Sequence, residues 1–472
     1  MRILLIRPYH SFQDSNLLAH AKPMNLAYLA AYLLTHNFDV KIIDYEIELY
    51  SDASFLNILK RENPSVIGVS CMTPTIKNGA KICAFAKSFN KDIVTIVGGP
   101  HANGLPKETM QEFLSFDYLV FGEGEITLLE LCNKIRDGRD DNNIDGVVYR
   151  VDGEIVQNPP RKLIADLDSL PLPARYLIKS DLKVGHASRG FSNKILGAEV
   201  HTSRGCPYEC IFCAIQTTFG HKVRFRHTFF IEEEIKHLVN DFHVNHITIS
   251  DDTFTLIKDR AFEICEIMKR NNILSWSCNT RVNTITKELL MAMRDSGCRK
   301  VAFGVESGSQ RIMDITNKRI TVEQVKQAVS YAKEVGMKYI EGNFIIGSDP
   351  SETMEEVEMT RALVLSLPWS FVSISIIVPF PGTPIYNKMK AINQIHTSDW
   401  DDFVLFGRLP RWHTDNFSAE DLIRLQRKIT REFYLNPKYI FKQIMGIRSW
   451  VDTSYWLNAG VNYCKWYLTG KA

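Results

Sequence analysis

The chain has 472 residues, too long for one ordinary domain, so two or three are expected. It is 45% hydrophobic and 23% charged, a composition that buries a sizeable core and excludes a disordered or fibrous chain. Fifty-six basic against fifty-four acidic side chains leave a net charge of +2, which carries no global footprint for nucleic acid.

No apolar run approaches the length of a membrane span. The start, Met1-Arg2-Ile3-Leu4-Leu5-Ile6-Arg7-Pro8, is too short and too interrupted for a signal peptide. The ten cysteines do not form a disulfide framework. Cys71, Cys83, Cys132 and Cys265 sit singly in apolar stretches and read as small buried hydrophobes. A reducing cytoplasm is the expected home.

Residues 1–140 alternate short β-rich runs with helical patterns. The runs at 2–7, 39–44, 65–70, 93–97 and 117–121 are apolar and β-branched, as buried parallel strands are. Amphipathic segments separate them, the clearest at 26–34. This alternation predicts a doubly wound, Rossmann-like α/β sheet. Ligands of such sheets lie at the carboxyl ends of the strands. Small turns fall there: Ser70-Cys71-Met72-Thr73-Pro74, Gly98-Gly99-Pro100-His101-Ala102 and Gly122-Glu123-Gly124-Glu125. Their glycines let backbone approach a ligand closely, though simple strand-to-helix turns use the same residues.

Residues 141–195 are poor in periodicity and rich in turns, including Asn158-Pro159-Pro160 and Leu170-Pro171-Leu172-Pro173. They read as a linker held across the surface, stiffer than a Gly/Ser tether.

Alternation resumes over 196–390, with strands expected at 199–203, 246–250, 275–280, 300–304, 339–346 and 370–379. Helices are expected at 231–241, 259–271, 286–296, 321–335 and 351–367, with Thr286 and Ser351 as N-caps. Six β/α units imply a partial (β/α)6 TIM-like barrel. After the first strand comes Ser203-Arg204-Gly205-Cys206-Pro207-Tyr208-Glu209-Cys210-Ile211-Phe212-Cys213. Cys206, Cys210 and Cys213 offer three thiolates and no fourth, enough for three irons of a cubane with one iron left open. A structural zinc site needs four closed ligands. A dithiol pair of Cys210 and Cys213 leaves Cys206 unexplained. Further polar motifs end the later strands: Ser250-Asp251-Asp252-Thr253, Asn279-Thr280-Arg281, Gly304-Val305-Glu306-Ser307-Gly308, the run 342–352, and Pro379-Phe380-Pro381-Gly382. In a parallel barrel all these ends share one rim, where active sites are built.

Residues 391–472 are expected to form a helical, aromatic-rich extension. Leu422, Leu425, Ile429 and Phe433 make an apolar stripe, and Arg424, Arg427, Lys428 and Arg431 a basic one. Such a stripe is either a solvated face or a contact for anionic lipid. Trp450, Tyr455, Trp456, Tyr463, Trp466 and Tyr467 cap the barrel mouth or complete the core.

The segments Lys22-Pro23-Met24-Asn25-Leu26-Ala27-Tyr28-Leu29, Gly98–His101 and Gly122–Glu125 resemble the cobalamin-binding domain that precedes many radical S-adenosylmethionine (SAM) domains. The resemblance implies cobalamin contacts at Met72, Thr73, Gly98, Gly99, Pro100, His101, Gly122 and Glu123. The Asp-x-His-x-x-Gly motif that supplies an axial histidine in many cobalamin proteins is absent, and His10 is the one histidine in the first loop. The axial ligand is therefore open.

Residues 196–390 resemble the radical SAM superfamily. In that family the cysteines hold a 4Fe-4S cluster, SAM occupies the open iron, and one electron cleaves it to a hydrogen-abstracting 5′-deoxyadenosyl radical. By that resemblance Phe212 packs near the adenine, Asp251 and Asp252 accept from the methionyl ammonium, and Arg281 pairs with the SAM carboxylate. Glu306 bonds the ribose or amino group, and Gly342 and Gly347 allow the adenine to approach. The implied activity is cobalamin-dependent methylation of an unactivated carbon. The alternatives are a radical cyclase or oxidoreductase of the anaerobic tetrapyrrole type, or a non-catalytic cobalamin sensor with a structural cluster. A flavodoxin or ferredoxin donor and a small-molecule, lipid, tetrapyrrole or peptide substrate are the implied partners, with peripheral membrane contact.

Overall fold

The computed structural model describes residues 1–11, 22–139, 143–178, 195–405, 408–445 and Val461. The aromatic residues from Trp450 to Tyr467 lie outside that set.

The first unit runs β1 (Arg2–Arg7), α1 (Met24–Leu34), β2 (Asp39–Asp44), α2 (Asp52–Glu62), β3 (Val66–Ser70) and α3 (Ile76–Phe89). It continues with β4 (Val94–Gly98), α4 (Pro100–Gly104), α5 (Pro106–Glu112), β5 (Tyr118–Val120) and α6 (Gly124–Asp137). Strands β2-β1-β3-β4-β5 are parallel in that order. Their β-branched runs are buried on both faces. Leu26, Ala30 and Leu131 of α1 and α6 cover one side, while Phe55, Leu59 and Ile82 of α2 and α3 cover the other. Cys71, Cys83 and Cys132 are buried within these layers.

The sheet continues past residue 140. Strands β6 (Val147–Val151) and β7 (Glu154–Gln157) add to its edge as an antiparallel hairpin, where a linker was expected. The cause is local: Asp152-Gly153, both left-handed at φ 50° and 84°, is the two-residue turn that matches the twist of paired strands.

The second unit begins with β8 (Gly197–Val200), a two-residue strand β9 (Ser203–Arg204), α7 (Gln216–Phe219), a second short strand β10 (Arg224–Phe225) and α8 (Thr228–Phe242). Then follow β11 (His246–Ile249), α9 (Lys258–Arg270), β12 (Ser275–Thr280), α10 (Lys287–Asp295), β13 (Cys298–Glu306), α11 (Gln310–Ile315) and α12 (Val322–Glu334). The unit closes with β14 (Tyr339–Ile346), α13 (Met354–Ser366), β15 (Phe371–Ile376), α14 (Pro384–Ala391), α15 (Ala419–Tyr434) and α16 (Pro437–Met445). The order β8-β11-β12-β13-β14-β15 is parallel throughout and open, a six-stranded partial barrel.

Alternation along these strands sorts the two faces. Val200, Ile247, Trp276, Phe303, Phe344 and Ile374 pack into the core beneath the helices. The opposite face carries polar groups in register, with Thr248 beside Glu199 and Ser277, Ser277 beside Lys300, and Asn343 beside Ser373. Lys300 and Glu341 pair across it at 3.0 Å. Thr286 caps α10 as expected, but α13 is capped by Thr353, which forms a capping box with Glu356. Ser351 instead bonds Asp349 in the preceding turn.

Helix α15 buries Leu422, Leu425, Ile429 and Phe433, the expected stripe, against β15. Gln426 donates to Ile374 O at 2.8 Å and the Tyr434 hydroxyl to Val372 O at 2.8 Å. These bonds occupy groups that an edge strand leaves unpaired.

The units are joined by buried charges. Arg204 donates to Glu123 at 2.9 Å and to Glu125 at 2.6 Å, and Arg224 donates to Glu123 at 2.6 Å. The Arg204 guanidinium also lies 5.4 Å from the ring centroids of Tyr28 and Phe219. Backbone meets backbone nearby: a Cβ on Gly104 would stand 2.4 Å from Pro381 O, and one on Gly382 2.7 Å from Gly104 Cα.

Truncating one side of a buried pair leaves the other charge uncompensated, at about 3–5 kcal/mol. Arg204→Ala is expected to lower the first urea transition by an amount of that order. Lys236→Ala, which removes an exposed, solvent-screened pair with Glu233, is expected to leave it essentially unmoved.

Candidate functional site

The cysteine loop leaves β9 and returns through β10, its antiparallel partner. Gly205 makes the turn at φ 94°, where a Cβ would stand 2.7 Å from Lys222 O. Cys210 is buried, and Cys206 and Cys213 are half-buried. Burial raises the Cys206 thiol above its ordinary range and pushes Cys213 up to about 11. At Cys206 and Cys213 a bound cation would repay the desolvation of the thiolate. Among the described residues no three His, Cys, Asp or Glu side chains converge on a single metal-ion position. A cubane takes one thiolate per iron and leaves one iron open, and this loop presents three thiols. The donor set fits a cluster.

Asp251 is buried and accepts four bonds. Thr202 N donates at 2.6 Å, Ser203 N at 3.1 Å, and the Thr202 and Ser203 hydroxyls at 2.5 and 2.7 Å. Its lone pairs hold the chain just ahead of the cysteines. Asp252 is the carboxylate that reaches solvent. Burial of its surroundings and the adjacent Asp251 raise it to about 6.

Arg281 is buried, with its guanidinium 3.5 Å from the Tyr208 ring centroid and Nη1 3.8 Å from Cys210 Sγ. Glu306, at φ 74°, accepts from Lys318 Nζ at 2.6 Å. Phe212 is half-buried against the barrel core.

Gly342 and Gly347 both sit where a side chain would crowd the protein. Alternation puts Gly342 on the helix-covered face, where a Cβ would meet Phe344 at 2.9 Å and Trp369 at 3.1 Å. Gly347, at φ 72°, lies under α15, with Leu422 3.2 Å from such a Cβ. Its N–H donates to Glu352, whose burial raises that carboxyl to about 8.

On the first unit, Gly98 ends β4 and Gly99 turns at φ 97°, where a Cβ would collide with the Cys71 backbone at 2.8 Å. Pro100 starts α4. His101 is buried edge-on to Trp400, with ring centroids 4.8 Å apart, and among the described residues neither ring nitrogen has a partner. Its burial lowers the imidazole to about 4, so it is neutral. Met72 is half exposed, Thr73 is buried, and a Cβ on Gly122 would meet nothing within 4 Å. A buried imidazole without partners among the described residues, and open space at Gly122, are the features here that fit a ligand such as cobalamin. Glu123 is placed otherwise, since Arg204, Arg224 and Ile164 N take up its oxygens. His10 faces Glu46 at 3.4 Å.

Sequence reasoning passed over Arg204, Arg224 and Lys318. Arg204 stands two residues before Cys206, and that adjacency was a usable signal. Lys318 stands twelve residues beyond Glu306, on a turn with no motif of its own.

Comparison with known proteins agrees with this geometry. Residues 200–364 match the radical SAM superfamily and residues 16–132 the B12 binding domain. The chain belongs to the cobalamin-dependent radical SAM enzymes, and its cofactors are a 4Fe-4S cluster, SAM and cobalamin. It is 34% identical over 446 residues to an uncharacterised methyltransferase of Pyrococcus horikoshii, covering 94% of this chain and 95% of the relative. It is 28% identical to the anaerobic magnesium-protoporphyrin IX monomethyl ester cyclase of Rubrivivax gelatinosus, covering 93% and 78% of the two chains. The fold is shared with the radical SAM methyltransferase TsrM of Kitasatospora setae, at TM-score 0.68 and 19% identity over 84% of this chain and 76% of that one. It is also shared with the cobalamin-dependent radical enzyme OxsB, at TM-score 0.73 and 17% identity over 98% and 71%.

Glu352 supplies a pH test. Its folded pKa, about 8, lies above the unfolded value near 4.5, so the folded state holds a proton that the unfolded state releases. Stability is expected to fall by about 1.4 kcal/mol per pH unit between those values and to level off above them. Thermal melting from pH 5 to 9 is expected to show a shallower slope in Glu352→Gln.

Proposed function

We propose that this enzyme methylates an unactivated carbon of a small organic substrate in the space between the barrel rim and the strand ends of the first unit. The observation that carries this is the three-thiol loop on the barrel rim, fastened through Arg204 to the unit whose strand ends are open. When bound, the cluster supplies the electron that cleaves SAM, and cobalamin supplies the methyl group.

The chain's own residues bind and orient. Cys206, Cys210 and Cys213 hold the cluster, and Arg281 holds a fixed positive charge against Cys210. Asp252 accepts from the methionyl ammonium, Glu306 bonds the SAM ribose or amino group, and Phe212 borders the adenine. Thr73, Gly98, Gly99, Pro100, His101 and Gly122 line the cobalamin side, with Met72 at its rim. No described helix is long and apolar enough to cross a membrane. Flavodoxin or ferredoxin in the cytoplasm supplies the electron.

A second reading is favoured by the 28% identity to the Rubrivivax cyclase over 93% of this chain. In that reading the same groups direct ring closure.

Protein purified without oxygen and given SAM, reductant and candidate substrates is expected to yield 5′-deoxyadenosine, methionine and S-adenosylhomocysteine. 5′-Deoxyadenosine without S-adenosylhomocysteine supports the cyclase. Neither product, with cobalamin binding intact in Cys206→Ala, leaves the sensor reading. SAM affinity measured by equilibrium dialysis is expected to weaken as pH falls through about 6, where Asp252 loses its charge, and Asp252→Asn is expected to remove that dependence.

A further inference from the structure

The turn Thr316-Asn317-Lys318-Arg319 lies against the cysteine loop through Thr316, Asn317 and Arg319. Ile211 N donates to Thr316 O at 3.1 Å, and the Cys210 thiol lies 3.7 Å from Asn317 O. Asn317 Nδ2 donates to Glu209 O at 3.2 Å, and Arg319 pairs with the Glu209 carboxylate at 2.8 Å. Asn317 and Arg319 are both left-handed, at φ 56° and 53°. Side chains rarely adopt that backbone, so the surroundings fix this turn.

Lys318 stands at its centre and is 5% exposed. Its Nζ donates to Glu306 Oε1 at 2.6 Å, and its carbonyl accepts from Arg281 Nη2. Among the described residues Glu306 Oε2 takes no donor, so one oxygen is held and the other is open to a ligand. Residue 304 is glycine, and a side chain there would shift the far ends of both members of the pair. A Cβ there would stand 2.7 Å from Glu306 Oε1 and 2.9 Å from Lys318 Nζ.

We propose that Lys318 is a positioning residue for SAM: it fixes the Glu306 carboxylate with Oε2 presented to the ligand, while its carbonyl holds Arg281 against Cys210. This rests on the reading of Glu306 as a SAM contact. The arrangement ties the cluster loop and the SAM-facing carboxylate to one buried side chain. A charge-assisted bond to a desolvated carboxylate sets direction as well as energy.

The test uses the full chain, reconstituted without oxygen, as Lys318→Met, Lys318→Arg, Gly304→Ala, Glu306→Gln and the double variant of Lys318→Met with Glu306→Gln. Iron and sulfide content and melting temperature report cluster and fold. SAM dissociation constants and the change in the reduced cluster's EPR signal on adding SAM report positioning. Lys318→Met is expected to keep its iron and sulfide but bind SAM about tenfold more weakly, with a diminished EPR change. Lys318→Arg is expected to recover most of that loss. Gly304→Ala is expected to reproduce it with every charge present, and the double variant to bind no worse than Glu306→Gln alone. Wild-type affinity in Lys318→Met, or multiplied losses in the double variant, overturns the proposal. Loss of the cluster from both Lys318 variants also overturns it, since the residue would then only hold the loop. Failure of the unsubstituted chain to bind SAM is a separate result that removes the reading of Glu306 itself.

Discussion

The buried contact of Arg204 with Glu123 and Glu125 is the constraint on which the rest of the molecule depends. Arg204 belongs to the second unit and lies two residues before the first cysteine, while the glutamates open α6 of the first. One guanidinium therefore sets both the seating of the two units and the start of the thiol loop. Buried ion pairs give little net stability, because desolvation offsets their attraction. Their value here lies in geometry: a planar fork that engages two carboxylates permits few arrangements.

A similar economy holds around the loop. Asp251 gathers the amides and hydroxyls of Thr202 and Ser203, Arg281 lies across Tyr208, and the turn at 316–319 closes the far side. The loop is thus gripped from the ends of strands β11 and β12 and from the turn beyond β13 through hydrogen bonds. The polar groups on the barrel rim divide into those that hold the loop and those left open, chiefly Asp252 and one oxygen of Glu306. The division follows from hydrogen-bond capacity, since a carboxylate saturated by four donors has little left for a substrate.

Much of this was legible in the sequence. Both sheets followed from β-branched runs separated by helical periodicity, and the strands at 2–7, 39–44, 275–280 and 339–346 appear at their expected bounds. The cysteine spacing identified the chemistry because few other uses explain three thiols in one tight loop. What the sequence left open shares a cause. Gly342 and Gly347 were named by the family resemblance, whereas strand parity and α15 set their surroundings. Asp251 and Asp252 are indistinguishable as letters, and only the loop path decides which is consumed internally. Lys318 carries no local signature, since its role depends on a partner twelve residues away and on the space left by Gly304. The β6–β7 hairpin is a different case: Asp152-Gly153 between two short β runs was a readable signal.

The meeting of Gly104 with Gly382 has a bearing on how such two-part enzymes diversify. Two backbones touch there with no side chain between them, so the spacing of the two cofactor platforms is a main-chain dimension that point substitutions elsewhere do not alter. New substrates can then arise by changing loops and the C-terminal extension while the platforms keep their separation. Recombination between relatives is more restricted. A first unit carrying any larger residue at position 104, or a barrel lacking glycine at 382, would be held off by the width of a methyl group.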